Sequence, residues 1–368
     1  MANPRMSETF IIAEAGVNHN GVIRLAQLLV DAAIEAGADA VKFQAFSPEH
    51  LVTANAPKAA YQDHNDPESK FQIDMLRGLR LSTEEFGVLR NHCRSGGIKF
   101  LCTPFDQPSL DFLVRDLGVD RLKIASGEMA NAPFLWNAAR SGLPLIVSTG
   151  MSEMDEIAQA LGVIAHALGF GDQTAPPDET VFLAALDLEE AQAALRRQVV
   201  LLHAVSDYPA KINEVNLSAM SVMRERFGLE VGYSDHTNGI TVPIAAAALG
   251  AAVIEKHFTL DRTMKGPDHK ASLEPDELTA MVRGIREATT AVGAPVKTLQ
   301  ASEVANRLVT RKSLVAARPI QAREAFSEHN LTTKRPGGGM APIHYWHLLG
   351  QSASRAYAVD DQIDEFLR

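Results

Sequence analysis

The sequence predicts an α/β fold, a (β/α)8 TIM barrel followed by a small C-terminal domain. Three observations carry that expectation. Short apolar runs alternate with stretches of helical spacing, each run breaks off into polar residues, and eight such units follow one another over roughly 280 residues. An open doubly wound sheet is the alternative, but no GxGxxG follows the first run.

The first strand, Phe10 to Ala13, ends in Glu14-Ala15-Gly16, and Asn18-His19-Asn20-Gly21 is turn chemistry. Ile23 to Ala36 is helical and stops at Gly37. The next strand, Asp39 to Phe43, runs into Gln44 and a long loop rich in Ala, Pro and Asn up to about Asp66. Helices are expected at Phe71 to Leu79 and at Ser82 to Ser95, where Ser82-Thr83-Glu84-Glu85 is a capping box and Gly96-Gly97 a stop. Lys99 to Cys102 leads into Thr103-Pro104-Phe105, with a helix near Ser109 to Leu117. Arg121 to Ala125 leads into Ser126-Gly127-Glu128, and Pro133 to Arg140 is helical. Leu145 to Val147 leads into Ser148-Thr149-Gly150 and the helix Glu153 to Ala167.

Gly169 to Arg197 is too long for an ordinary helix-to-strand connection and reads as an insertion, a loop to Thr180 and a helix from Asp187. Val199 to Leu202 then leads into His203-Ala204-Val205-Ser206-Asp207-Tyr208-Pro209, with a helix around Leu217 to Phe227. The last two strands are Glu230 to Tyr233, ending in Ser234-Asp235-His236, and Ala251 to Ile254, ending in Glu255-Lys256-His257. The Ala-rich helix from Pro243 to Leu249 joins them. A final helix to about Val292 closes a barrel domain of residues 1–292. Residues 293–311 read as a linker, and 312–368 as a module too small to stand alone easily.

Composition narrows the partners. At 46% hydrophobic and 22% charged, the chain has the material for an ordinary core. A net charge of −10 with no Lys/Arg-rich block argues against nucleic acid or an anionic membrane as a partner. Cys93 and Cys102 form no disulfide or zinc pattern, and no apolar run has the length of a signal core or membrane span, so a cytoplasmic location is expected.

The strand ends carry the chemistry. Side chains alternate along a strand, so Ser234 shares a side with His236 and Glu255 with His257. Two histidines on adjacent strand ends form a candidate metal site with positions left open for water and a substrate oxygen. Lys42 and Lys123, with the hydroxyls of Thr103, Ser126, Ser148, Ser206 and Ser234, suit a small ligand bearing phosphate and carboxylate. Glu14, Glu128 and Glu255 would hold or deprotonate hydroxyls of a second, polar substrate. Each residue also has a plainer reading: strand-end histidines are often structural, a lysine can reach solvent, and Ser126 or Ser148 can cap the next helix. Lys123 and Ser126 differ in parity, so the chain must leave the strand between them if both face one ligand. Lys256 faces the helix layer by alternation, and the sequence offers no account of it.

IIAEAGVNHNG, AVKFQ, TPFD, KIASGE, STGM, HAVSDYP, VGYSDHT, VIEKHFTLD, GPDHKASLEPDEL and KRPGGG, in this order, resemble the N-acetylneuraminate (sialic acid) synthase family, with its legionaminic and pseudaminic acid relatives. The resemblance covers nearly the whole chain. It implies a (β/α)8 barrel with an antifreeze-like (SAF) domain, domain-swapped as a homodimer, that condenses phosphoenolpyruvate with an N-acylated amino sugar to a nonulosonic acid and phosphate. Carried over by motif, Lys42, Thr103, Lys123, Ser126, Ser148, Ser206 and Ser234 would bind phosphoenolpyruvate, and His236 and His257 would bind Mn2+ or Mg2+. Gln44, Tyr208, Asp268 and, from the partner subunit, Arg335 would hold the sugar, with Glu14, Glu128 and Glu255 as the catalytic carboxylates. GPDHKASLEPDEL is similar to the bacterial branch, which uses unphosphorylated sugars. Two departures stand out: Gly338 replaces the side chain of a KRPGNG-type motif, and the small domain's usual glycine turn reads QARE, with Arg323 in the turn. Another phosphoenolpyruvate-condensing or aldolase-type barrel, or a non-catalytic sugar-acid-binding barrel, is the competing expectation.

Overall fold

Alternation along eight strands decides which side chains of this chain face inward. The computed structural model describes residues 8–174 and 177–364, and the chain divides into two units, Met1–Gly293 and Ala294–Arg368. In the first unit the strands are β1 (Phe10–Gly16), β2 (Ala40–Ala45), β3 (Lys99–Pro104), β4 (Leu122–Ile124), β5 (Leu145–Ser148), β6 (Val199–Ala204), β7 (Glu230–Asp235) and β8 (Val253–His257). They pair in parallel in the order β3-β2-β1-β8-β7-β6-β5-β4. The two end strands, β3 and β4, lie side by side, so the sheet closes on itself as a barrel.

Inside, Ile12, Ala40, Leu101, Ile146, Leu202 and Val253 pack together as an apolar layer. Two residues further along the same strands stand Glu14, Lys42, Thr103, Ser148 and Glu255, all buried. The parity that buries the aliphatic layer therefore also places a polar layer directly above it, at the C-terminal mouth. The opposite parity faces the helices and fills the main core with Ile11, Val41, Phe43, Val147, Leu201, Tyr233 and Ile254.

Lys256 has that outward parity, and the fold supplies its partner. It sits opposite Asp235 in the β7–β8 register and is fully buried, its ammonium 2.5 Å from Asp235 Oδ2 and bonded to the Thr237 carbonyl. The Thr237 N–H donates in turn to Asp235 Oδ1 at 3.1 Å. The ion pair thus ties the β7–β8 ladder to the loop carrying His236.

Several segments differ from the sequence expectation. The fourth strand stops at Ile124 rather than Ala125, and Ser126 opens a 3-10 turn, so the chain leaves the strand between Lys123 and Ser126. The long loop after β2 holds two short helices, Pro48–Leu51 and Ala60–Asn65. In the insertion, a helix at Glu179–Leu186 begins before the expected loop ends and precedes Glu189–Gln198. Its Phe182 docks on Trp136 and His166, with ring centroids 6.3 and 5.6 Å away; partners this distant in sequence are invisible to local periodicity. The stretch read as linker contains the helix Glu303–Thr310.

The second unit has its own core, including Leu314, Ile320, Phe326, Leu331, Tyr357 and Ile363, around an antiparallel pair, β9 (Ser313–Ala316) and β10 (Leu331–Lys334). Arg323 takes a left-handed φ of 69°, and its N–H donates to the Ala353 carbonyl at 2.8 Å. The turn therefore keeps a glycine-like geometry without glycine, at a cost of about 1 kcal/mol.

Removing one member of a buried ion pair strands the other's charge. Lys256→Met should lower unfolding free energy by about 3–5 kcal/mol in urea titration. Asp235→Asn combined with Lys256→Met should recover part of that loss; a full-stability single variant would show the pair to be dispensable.

Candidate active site

Thirteen side chains singled out by sequence line one basin at the strand C-termini, which holds about 860 Å³ and is open to solvent. They are Glu14, Lys42, Gln44, Thr103, Lys123, Ser126, Ser148, Ser206, Tyr208, Ser234, His236, Glu255 and His257. Each barrel strand or the loop directly after it contributes, because the inward parity of every strand ends in this layer.

Glu255 lies at its centre. Its Oε1 is 3.3 Å from Lys123 Nζ and accepts from Ser234 Oγ at 3.0 Å, and its Oε2 is 3.7 Å from Lys42 Nζ. Lys42 also contacts Glu14 Oε2 at 2.8 Å and donates to Thr103 Oγ1 at 3.0 Å, while Gln44 donates to Glu14 Oε1 at 3.0 Å. Two ammonium groups and two carboxylates are thus packed together away from water, where charge interactions are strong.

Their protonation is pushed in different directions. Burial alone would raise the Glu255 carboxyl, but Lys123 and Lys42 outweigh it and hold it at about 2. Burial lifts Glu14 above the ordinary glutamate range, with Lys42 opposing and Glu255 reinforcing. For Lys42, burial works against the charge, yet Glu14 and Glu255 together keep its pKa above normal. Burial dominates at Lys123, which has one carboxylate partner and a like charge in Lys42, so its pKa falls. One carboxylate is a fixed anion and the other holds a proton more readily, the separation expected of groups with different acid–base tasks.

The two imidazoles lie together, with centroids 5.7 Å apart, and the Tyr208 ring sits 4.2 Å from His236 and 5.8 Å from His257. Burial lowers the pKa of both, and the neighbouring His236 lowers His257 further, so both are neutral at physiological pH. His236 Nδ1 lies 2.6 Å from the Val205 carbonyl, which can only accept, so Nε2 keeps its lone pair. His257 Nδ1 is buried without a hydrogen-bond partner, and Asp268 Oδ2 lies 4.0 Å from it. Two neutral imidazoles, one with an orphaned nitrogen and the other oriented by a carbonyl, fit a divalent ion. Among the described residues no third His, Cys, Asp or Glu joins them as a ligand, so further ligands would be water or substrate oxygens.

Ser126 Oγ accepts from the Gly150 N–H at 3.0 Å, joining the loops after β4 and β5. A side chain at residue 150 would collide with the hydroxyls of both Ser126 and Ser206, so glycine lets those groups converge. Ser148 does not cap the next helix, whose N-cap is Glu153.

Three expected residues stand elsewhere. Asp268 lines an adjoining lobe that shares Gln44, Tyr208 and His257 with the basin, and burial, with Glu14 nearby, pushes its carboxyl up to about 7. Glu128 is not among the basin's lining residues: it accepts from Asn131 at 2.6 Å, and burial raises its pKa. Arg335 belongs to the second unit. Sequence reasoning missed the adjoining lobe's wall, from Phe46, Leu51, Met75, Leu76 and Leu79; the apolar face of the helix expected at Phe71 to Leu79, which supplies Met75, Leu76 and Leu79, was the available signal.

Glu255→Gln would leave Lys123 with no carboxylate within 4.0 Å. The variant should lose about 3 kcal/mol of stability and most activity, read by thermal unfolding and turnover; an unchanged melting temperature would show the cluster to be adequately solvated.

The chain is 43% identical over 360 residues to the N,N'-diacetyllegionaminic acid synthase of Campylobacter jejuni, covering 98% of this chain and 100% of that protein. It is 44% identical over 345 residues to the corresponding synthase of Legionella pneumophila, covering 94% and 90%. Its fold matches the crystal structure of the N-acetylneuraminic acid (sialic acid) synthetase of Leptospira borgpetersenii in complex with citrate, with a TM-score of 0.65 and 33% identity over 82% of this chain and 90% of that one. With residues 29–297 matching the NeuB family model and these relatives spanning its length, the chain belongs to the NeuB family.

Proposed function

We propose that this protein condenses phosphoenolpyruvate with an N-acylated amino sugar and water, giving a nonulosonic acid and phosphate. The observation that carries the reading is the buried pair Lys42 and Lys123 flanking Glu255, with two neutral histidines lining the same basin. A compact, multiply anionic substrate matches two fixed ammonium groups and converging hydroxyls, and family membership supports the same chemistry.

Lys42, Lys123 and the hydroxyls of Thr103, Ser126, Ser148, Ser206 and Ser234 hold phosphoenolpyruvate. Gln44, Tyr208 and Asp268, on the side shared with the adjoining lobe, hold the sugar. His236 and His257 would hold a divalent ion, Mn2+ or Mg2+, which would supply Lewis-acid polarisation at the acceptor aldehyde. The C2–C3 π electrons of phosphoenolpyruvate form the new bond from C3 to the aldehyde carbon, whose oxygen takes a proton; water adds at the electron-poor C2 and loses a proton, and the resulting C2 hydroxyl becomes the ketone as the C2–O bond breaks, its proton leaving with the phosphate. Glu14, raised by burial, is suited to carry the proton at the sugar oxygen, while Glu255 stays ionised and fixes both ammonium groups. The lysines also offset charge on the departing phosphate.

The second unit is read as an SAF-type domain in a domain-swapped homodimer, with Arg335 reaching the partner subunit's sugar. Exposed apolar side chains on that unit, Leu308 and Trp346 among them, support assembly. No described helix is long and apolar enough to cross a membrane.

Phosphate should be released from phosphoenolpyruvate only when an N-acylated mannosamine-type sugar and a divalent metal are present; sugar-independent release, or none with any such sugar, refutes the assignment. His236→Ala should abolish metal-dependent turnover with circular dichroism unchanged. Arg335→Ala should raise KM for the sugar about 10-fold or more with little change for phosphoenolpyruvate; equal effects on both would remove Arg335 from the sugar site.

A further inference from the structure

The end of the barrel away from the catalytic basin carries an unbalanced charge. Phe10 opens β1, Lys99 opens β3, and Arg121 stands just before β4. Between these strand starts and the helix Thr83–Gly96 lies a cavity of about 930 Å³, open to solvent. Arg90 and Arg94 face it from that helix, Lys99 and Arg121 from the strand side, and Asp120 is the one acidic residue among its described lining. None of the four cations is ion-paired with a carboxylate among the described residues. Elsewhere at this end of the barrel a cation is neutralised: Arg286 lies 2.7 Å from Asp39 and 3.3 Å from Glu8. The four are held instead by neutral groups. Arg90 Nη2 donates to the Gly118 carbonyl and Arg94 Nη2 to Asn91 Oδ1, each at 3.0 Å. Lys99 and Arg121 stand over the Phe10 ring, 5.0 and 5.8 Å from its centroid. Behind the charges the cavity is apolar, with Ile98, Leu101 and Val119 buried and Phe10 and Phe100 half-buried. Gly118 takes a left-handed φ of 66° at the end of a π-helical turn, Phe112–Leu117, and leads directly into Asp120 and Arg121.

We infer that this cavity is a second ligand site, one that takes a nucleoside monophosphate: a phosphate ester joined to a flat ring. Four like charges around one cavity repel one another, and in a chain of net charge −10 they are not the overflow of a basic surface. A bound phosphate removes that repulsion, and guanidinium forks from two walls match its oxygens. Phosphate alone would leave the apolar interior wet. A planar ring covers Phe10 and Phe100 and stacks on the Arg121 guanidinium. An uncharged apolar ligand would leave the cations unpaired, and a cationic one would be repelled. The cavity shares no described lining residue with the catalytic basin, so this binding is independent of the proposed condensation.

The test is calorimetric titration of the full-length chain at low salt with AMP, CMP, adenosine and inorganic phosphate, with the melting temperature as a second readout. AMP or CMP should raise Tm and bind about 10- to 100-fold more tightly than inorganic phosphate, the range that stacking of one base supplies. Adenosine should give neither heat nor a shift in Tm, and added salt should weaken the nucleotide. Arg94→Glu and Lys99→Glu, at exposed positions, should each weaken the nucleotide by about 10-fold or more. Phe10→Leu should reduce nucleotide affinity and leave that for inorganic phosphate unchanged. Absence of binding by both nucleotides, equal affinity for nucleotide and phosphate, or undiminished binding in folded Arg94→Glu and Lys99→Glu would overturn the assignment.

Discussion

Two lysines brought to one carboxylate inside a barrel mouth constrain the rest of the site. Glu255 must stay ionised to hold Lys42 and Lys123, and their combined field keeps it so despite complete burial. Such a cluster is costly to desolvate and contributes little net stability. It persists because eight strands of fixed parity leave these side chains no other direction, with the aliphatic layer of Ile12, Ala40, Leu101 and Val253 directly below. An anionic substrate entering the basin would complete a charge balance that the protein alone holds together with two unequal carboxylates.

Around that cluster the fold sorts groups by what each must stay. The histidines are kept neutral by burial, Glu255 is kept anionic by cations, Glu14 is raised above the ordinary glutamate range by burial, and Asp268 in the adjoining lobe is pushed up to about 7. Charge therefore grades across the mouth, from an ammonium-rich basin to a lobe whose described lining has no cation. A two-substrate condensation needs that asymmetry, since one partner is multiply anionic and the other need not be charged.

The Asp235–Lys256 pair works on the other face of the same two strands. It shares their register but points into the helix layer, so the segment bearing His236 is anchored from behind by Lys256's contact with Thr237. Alternation gives one dipeptide, Glu255-Lys256, two unrelated tasks: the glutamate organises the mouth and the lysine fastens its support.

The eight-unit rhythm, the inward parity of the polar strand ends and the meeting of His236 with His257 were legible from local spacing. They depend only on strand periodicity and on parallel strands ending level. Tertiary structure alone decided the rest. Glu128 turns to Asn131 rather than lining the basin, because the chain leaves the strand at Ile124 for a tight turn. The helices at Ala60–Asn65 and Glu179–Leu186 form in segments with weak local signals, the latter against rings far away in sequence. The aliphatic lobe is assembled from residues spread between β1 and the β8 loop. Sequence spacing determined which side chains could face the mouth; their charge states and the shape of the second cavity depended on burial and long-range packing, which no local pattern encodes.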